Sequence, residues 1–147
     1  GFSYIFQTPK NSKYPPVCKL NLIKAKDVKI QGAGGEITFR PLLVNHGDIE
    51  SLGFKIDKLA YIPDVLNIPI ESWKELEYID ILIIDALRRD PHPSHTHLEK
   101  TLQWLKKLNP KRAILTNLHN DLDYSELKKE LPKNFEPAFD GLAVKLK

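Results

Sequence analysis

Three histidines lie within six positions of the segment RDPHPSHTHLEK, residues 89–100, although the whole chain has only five. His92, His95 and His97 carry imidazole nitrogens, which bind zinc and related metals and also act as acids or bases near neutral pH. The segment could therefore be a metal site of its own, a catalytic cluster or the polar lead-in to a helix. The other metal-binding side chains of the sequence bear on this choice.

Three further side chains of this kind each follow a predicted apolar strand. His46 ends FRPLLVNHG, Asp64 ends KLAYIPD, and His119 lies in RAILTNLHND. Imidazole and carboxylate ligands suit zinc, manganese or iron, and strand ends that lead into helices are common places for binding sites. Each residue also has a structural interpretation, Asp64 as a turn residue and the two histidines as hydrogen-bonded loop residues.

A fourth predicted strand ends at Asp85, within the segment DALRRD. Asp85 could orient a ligand histidine by accepting a hydrogen bond from its second ring nitrogen. It could instead form a structural salt bridge with Arg88 or Arg89, and we expect the salt bridge.

The elements that must position these residues fall into two halves. In the first half, apolar alternation and turn signals predict five or six short strands, joined at GAGG and at Asp57-Lys58. Cys18 is expected to be buried in the second of them. The predicted strand segments are FSYIFQ, VCKLNLIK, DVKI, EITFRPLLV, GFKI and KLAYI.

The second half alternates predicted helices with predicted strands. The helices are IESWKELEY, HLEKTLQWLKKL and DYSELKKEL, and the strands are IDILIIDAL, KRAILTNL and GLAVKL. Thr96 with Glu99, and Asp123 with Glu126, have the spacing of helix capping boxes. One apolar stripe is expected on the second helix, from Leu98, Leu102, Leu105 and Leu108. This alternation predicts one α/β unit.

Composition narrows the class of protein. The chain has 147 residues, 41% of them hydrophobic, and a net charge of +3 that gives no argument for a nucleic-acid partner. Its single cysteine allows no internal disulfide, and we expect a cytoplasmic protein. No apolar run approaches the roughly 18 residues that would suggest a membrane span. Because the chain lacks methionine and opens in a predicted strand, we expect it to be part of something longer.

The order of motifs between about residue 40 and residue 142 carries a resemblance. The segments are VNHGDIESLGFKI, LAYIPDV, IPIESWKEL, IDALRRDPHPSHTHLEKTLQWL, PKRAILTNLHNDLDY and EPAFDGL. In these the chain resembles the C-terminal half of metallo-β-lactamase-fold hydrolases, in the branch that contains the cyclic-phosphate phosphodiesterase of the carbon–phosphorus lyase pathway. The resemblance implies an α/β fold, the αββα sandwich. It also implies two divalent metal ions, zinc or manganese, whose shared hydroxide attacks a small phosphodiester substrate.

The resemblance also implies roles for individual residues. His46 corresponds to a ligand of one metal, Asp64 to the catalytic carboxylate that bridges both, and His119 to a ligand of the other. His95 corresponds to a catalytic histidine that meets the substrate phosphate and can protonate the leaving oxygen. Independently of the resemblance, His92, which lies between two prolines, is expected either to fix its loop or to line the substrate-binding rim. Asn117 and Asn120 fall where some relatives carry histidine, and His97 is a local variant.

One motif of that family, H-x-H-x-D-H, is absent from this sequence, although it supplies most of the metal ligands. We therefore expect residues 1–147 to form a partial domain that binds metal weakly alone and pairs with a missing N-terminal half or a second copy. A non-catalytic half-domain is the alternative. A different hydrolase with its own metal site at His92, His95 and His97 is a third interpretation. Neither a nucleic acid nor a membrane is expected as a partner.

Overall fold

A computed structural model describes residues 3–23 and 26–146 of the chain. After a short 3-10 helix, Ser3–Ile5, strands and helices follow in an order that places most strands first. The strands are β1 (Val28–Gly32), β2 (Gly35–His46), β3 (Ile49–Ile56), β4 (Leu59–Ile62), β5 (Ile81–Asp85), β6 (Arg112–Thr116) and β7 (Phe135–Pro137). The helices are α1 (Ile70–Glu75), α2 (Leu98–Leu108) and α3 (Tyr124–Glu130).

The strands form one seven-stranded sheet in which neighbours in the chain are neighbours in space. Pairing is antiparallel from β1 to β4 and parallel from β4 to β7. Strand β2 therefore runs in the same direction as β4, β5 and β6, so the carboxyl ends of these four strands meet at one edge of the sheet. The predicted α/β class is confirmed, and this shared edge gathers the candidate site residues.

The hydrophobic core lies on the face of the sheet that the helices cover. Alternate strand residues point to this face, and its strand members are Leu42, Val44, Ala60, Ile62, Leu82, Ile84, Ala113 and Leu115. The predicted apolar stripe of α2 packs against them: Leu98 and Leu105 are buried, and Leu102 and Leu108 are partly buried against the same cluster. Burial of this stripe is what fixes α2 on the sheet.

The opposite face of the sheet is apolar and partly open to solvent, although Ile114, beside Ile83 on this face, is buried. The register places Phe54 beside Tyr61 and Tyr61 beside Ile83, so these side chains share that face. Tyr61 is 42% exposed and Leu43 is 44% exposed. We call this surface, formed by Leu43, Phe54, Tyr61 and Ile83, the open sheet face.

Three predicted strands are absent from the described residues. The segment FSYIFQ contains the 3-10 helix, residues 17–23 of VCKLNLIK form no strand, and GLAVKL, residues 141–146, forms none either. Residues 2 and 24 of these segments lie outside the described part. Alternation shows only which side chains could share a face, and a strand also needs a hydrogen-bonded neighbour. Cys18, predicted to be buried, is exposed.

The two predicted capping boxes have different outcomes. Asp123 caps α3 as predicted, since its side chain accepts hydrogen bonds from the backbone N–H groups of Ser125 and Glu126. Thr96 does not cap α2, because the residue before the helix is His97 and Thr96 is fully buried. No helix among residues 3–23 and 26–146 is long and apolar enough to cross a membrane.

Candidate metal centre

Three of the candidate residues come together at the carboxyl edge of the sheet. One ligand atom each from His46, Asp64 and His95 lies within 4.8 Å of the other two. His46 is the last residue of β2, Asp64 follows β4, and His95 lies in the connection from β5 to α2. The sheet direction brings the first two together, and the connection carries the third across to them.

The His46 ring is held by a hydrogen bond at Nδ1, which leaves Nε2 free. Its Nδ1 lies 2.8 Å from the backbone carbonyl oxygen of Ser94. Because a carbonyl can only accept, Nδ1 carries the hydrogen and Nε2 keeps its lone pair for a ligand. The following residue, Gly47, has a φ of +67°, and a Cβ there would come 3.0 Å from the Cβ of Ser94. A glycine is therefore needed for this close approach.

His95 is held by a buried carboxylate. Its Nδ1 lies 2.6 Å from Oδ2 of Asp85, whose side chain is completely buried. The same oxygen accepts a hydrogen bond of 3.2 Å from the N–H of Val65, whereas Oδ1 of Asp85 has no hydrogen-bond partner in the described part of the chain. Burial raises the pKa of Asp85, and the hydrogen bond with His95 opposes that rise.

The expected salt bridge of Asp85 with an arginine is wrong. Arg89 instead pairs with Glu130 at 2.7 Å, and Arg88 donates to the carbonyl oxygens of Asp90 and Pro91. Both arginines lie past the end of β5, whereas the Asp85 side chain is completely buried. Asp85 therefore contacts a histidine, His95, which is the alternative to the salt bridge that the sequence left open.

His92 fixes the shape of its own loop. Its Nδ1 accepts hydrogen bonds of 3.3 Å from the backbone N–H groups of Ser94 and His95. The His92 and His95 rings are 5.3 Å apart between centroids. Burial, followed by the nearby positive charge of Arg88, lowers the pKa of His92.

The three-histidine metal site considered as a third interpretation does not form among the described residues. Only His95 belongs to the group of close ligand atoms. His97 directly precedes α2, and Nδ1 of His92 accepts a hydrogen bond from the backbone N–H of Ser94 in its own loop. The segment that contains the three histidines therefore contributes one member to a site whose other members come from β2 and β4.

His119 lies outside this group. Its side chain is 55% exposed, and its Nδ1 lies 3.0 Å from a carboxylate oxygen of Asp121. The role of His119 as a metal ligand stays a prediction, as do the roles of His46, Asp64, His92 and His95. The structure instead places Asn117 beside the group, with its amide nitrogen 3.3 Å from both Nδ1 of His95 and the carbonyl oxygen of Pro63.

Asn117 was not predicted as a site residue from spacing alone. Its backbone has a φ of +64°, the left-handed conformation that asparagine tolerates better than most residues. It follows β6 directly, at the same sheet edge as Asp64. The sequence feature that could have identified Asn117 is its place directly after a buried parallel strand.

The donor set fits a divalent cation. Two imidazoles and one carboxylate are ligands that zinc accepts, and about three protein ligands are usual at a catalytic zinc site. The hydrogen bond from Nδ1 of His46 to the Ser94 carbonyl oxygen leaves Nε2 of that ring free to bind the ion. His46 and Asp64 could therefore hold such an ion, with His95 close enough to be a third ligand or to face a substrate beside it.

Comparison with known proteins gives one family and one curated relative. The model of the family described as "Beta-lactamase superfamily domain" matches residues 1–117. A protein of Porphyromonas gingivalis (strain ATCC BAA-308 / W83) named octanoyltransferase is 30% identical over 142 residues. The match covers 95% of this chain but only 28% of that protein.

Solved structures show the same fold. A crystal structure of a new diphosphatase from the PhnP family matches with a TM-score of 0.79 and 32% identity, over 85% of this chain and 48% of that one. The short form of human tRNase Z matches with a TM-score of 0.59 at 18% identity, over 76% of this chain and 44% of that one. The chain thus spans about half or less of each of these relatives.

Proposed function

The chain belongs to the beta-lactamase superfamily domain family, and from this premise we propose that it is part of a metal-dependent hydrolase of small phosphodiesters. The observation that carries the proposal is the convergence of His46, Asp64 and His95 at one sheet edge. The similarity to a diphosphatase supports phosphorus–oxygen bonds as the target.

We propose that His46 and Asp64 hold a divalent ion, zinc or manganese, and that His95 faces the substrate beside it. Such an ion, when bound, polarises a phosphoryl oxygen and makes water a better nucleophile. The second ion implied by the resemblance would need further ligands, with His119 as the proposed one from this chain.

His95 is the residue of this chain proposed to move a proton. With Nδ1 held by Asp85, its other nitrogen, Nε2, is the one available to a substrate. A proton taken up on Nε2 from the attacking water could then pass to the leaving oxygen, which would assist cleavage. Helix α2 begins three residues later, and the positive end of its dipole favours an anionic substrate nearby.

We propose that the open sheet face is covered by a second sheet, contributed by an N-terminal half of the domain or by a second copy of this chain. Exposed apolar residues on a seven-stranded sheet support this, because an apolar patch of this kind is a site of association. The match to 48% of the diphosphatase chain leaves room for such a half. That half would also supply the additional metal ligands.

The name of the Porphyromonas relative does not change this proposal. The matched region makes up 28% of that protein, so most of its length lies outside the match. An acyl-transfer reaction by this chain would need an activated nucleophile. Its single cysteine, Cys18, is exposed and does not belong to the close group of potential ligands. A cytoplasmic location stays a proposal that rests on the cysteine content.

Hydrolysis of bis(p-nitrophenyl) phosphate by the native protein tests the proposal. We expect turnover that a chelator abolishes and that zinc or manganese restores. His95→Ala should lower kcat while metal affinity, measured by titration calorimetry, stays near the wild-type value. Phosphodiester turnover that survives complete chelation would contradict the proposal, as would a metal-loaded protein that cleaves only carboxylic esters. Metal loading without any turnover would favour the non-catalytic alternative.

A further inference from the structure

We infer that Asp85 is the positioning residue that decides which ring nitrogen of His95 carries the hydrogen. In this arrangement His95 has its hydrogen on Nδ1 and presents the lone pair of Nε2 at the candidate site. The consequence for turnover rests on the proposed function, whereas the arrangement itself does not.

The Asp85 carboxylate is held rigidly enough for this role. Its Oδ2 accepts from Val65, the residue next to Asp64, and lies 2.6 Å from Nδ1 of His95. The backbone carbonyl of Asp85 also accepts a hydrogen bond of 2.7 Å from the hydroxyl of Thr101 in α2. One buried residue thereby joins the end of β4, the loop of His95 and the helix behind them.

A second group competes for the same ring nitrogen. The amide nitrogen of Asn117 lies 3.3 Å from Nδ1 of His95. If Asn117 donated to Nδ1, the hydrogen of a neutral His95 would have to sit on Nε2. If Nδ1 donates to Asp85, the hydrogen sits on Nδ1 and Nε2 is free. The two partners therefore predict opposite tautomers.

The geometry favours Asp85 in this competition. The contact of 2.6 Å with the carboxylate is much shorter than the contact of 3.3 Å with the amide, and charge-assisted hydrogen bonds are the shorter and stronger class. Asn117 also has another acceptor, the carbonyl oxygen of Pro63 at 3.3 Å. The Asn117 amide can donate a hydrogen bond to that oxygen without donating to the His95 ring.

The unpartnered Oδ1 of Asp85 is consistent with selection for this contact. It is buried with no hydrogen-bond partner among the described residues. A buried polar atom without a partner destabilises the folded state, so an apolar residue would suit the core better. A carboxylate at this position therefore needs a compensating role, and orientation of His95 supplies one.

Nitrogen NMR of the native protein with isotope-labelled histidine tests the inference directly. In metal-free wild type we expect His95 as the Nδ1–H tautomer, with unprotonated Nε2. Asp85→Asn should shift the population toward the Nε2–H tautomer, because the neutral amide is a weaker acceptor. Asn117→Ala should leave the wild-type tautomer in place. Asp121→Asn is the matched control, since Asp121 contacts Nδ1 of a different histidine, His119.

A wild-type spectrum with the hydrogen of His95 on Nε2 would overturn the inference, as would a tautomer that changes in Asn117→Ala and persists in Asp85→Asn. If Asp85→Asn does not fold, the spectra of wild type and Asn117→Ala still show which tautomer His95 adopts and whether Asn117 sets it. In the turnover assay, Asp85→Asn should lower kcat about 10- to 100-fold with KM little changed. Absence of turnover in wild type would remove the proposed function and leave the spectroscopic result standing.

Discussion

The two imidazoles at the candidate site differ in what holds their second nitrogen. His46 donates to a neutral backbone carbonyl, whereas His95 contacts a buried carboxylate. Both acceptors fix the tautomer and orientation of the ring that donates to them, and only the carboxylate brings a negative charge. This difference suits His46 to metal binding and His95 to proton transfer, although both rings lie at the same sheet edge, 4.4 Å apart between centroids.

His46→Ala is expected to weaken binding of zinc or manganese by at least about tenfold, since loss of a ligand should cost no less than loss of a supporting hydrogen bond. Titration calorimetry measures the affinity. His97→Ala is the matched control, because His97 is a histidine two residues after His95 but lies outside the close group. Equal losses in both variants would count against the site. The resemblance predicts that His119→Ala also loses affinity, and unchanged affinity would remove His119 from the ligand set.

At the scale of the elements, the sequence best predicts the helices and strands that a local residue pattern defines. Leu98, Leu102, Leu105 and Leu108 indicate α2, and the cap at Asp123 indicates α3. The central strands are predicted because they are buried and rich in isoleucine and leucine. The first two predicted strands and the last one fail because their apolar pattern gives no information about a pairing partner. Leu22, for example, is 90% exposed.

Asp123→Ala is expected to destabilise the fold by about 1 kcal/mol, because two N–H groups at the start of α3 lose their acceptor. Urea unfolding followed by circular dichroism measures this change. Asp123→Ser is the matched control, since serine can also accept these hydrogen bonds, and it should retain most of the stability. Equal stability of Asp123→Ala and wild type would show that the cap contributes nothing measurable.

Glu75 ties α1 to two strands, through Arg40 of β2 and Lys55 of β3. The hydrogen bond from Arg40, with that from Lys55, holds the pKa of Glu75 below its ordinary value. A carboxyl with a lowered pKa stabilises the fold above its unfolded-state pKa, and this contribution is lost as pH falls through the folded-state pKa. The pairs are largely exposed, so we expect about 0.5 kcal/mol near neutral pH.

The test of this ion-pair network compares Glu75→Gln with wild type by urea unfolding at about pH 7 and at about pH 3. We expect the variant to be less stable at the higher pH and the difference to shrink at the lower one. Glu77→Gln, at an exposed position in the same region, is the control and should change little at either pH. A difference between Glu75→Gln and wild type that is the same at both pH values would contradict the ion-pair explanation.

At the scale of the whole molecule, sequence reasoning found the carboxyl edge of the sheet but not the full arrangement of the site. His46, Asp64 and His95 were all singled out, each for its own position, and the structure brings them together. The partner of Asp85 and the place of Asn117 could not be deduced, because both depend on how the connection from β5 to α2 folds back over the sheet edge. Such contacts join residues far apart in sequence, for which spacing gives no distance.

The open sheet face gives the last prediction. Expressed as residues 1–147, the chain should self-associate in solution, because Leu43 and Tyr61 leave apolar surface exposed on the sheet. The double variant Leu43→Lys, Tyr61→Lys should shift light scattering toward the monomer, since lysine on this face would have to be desolvated for another copy to pack there. Ile70→Lys, at a 60% exposed position of α1 away from this face, is the matched control and should leave association unchanged. A wild-type chain that stays monomeric at high concentration would show that the open sheet face needs no covering partner, and would remove the support for a second sheet there.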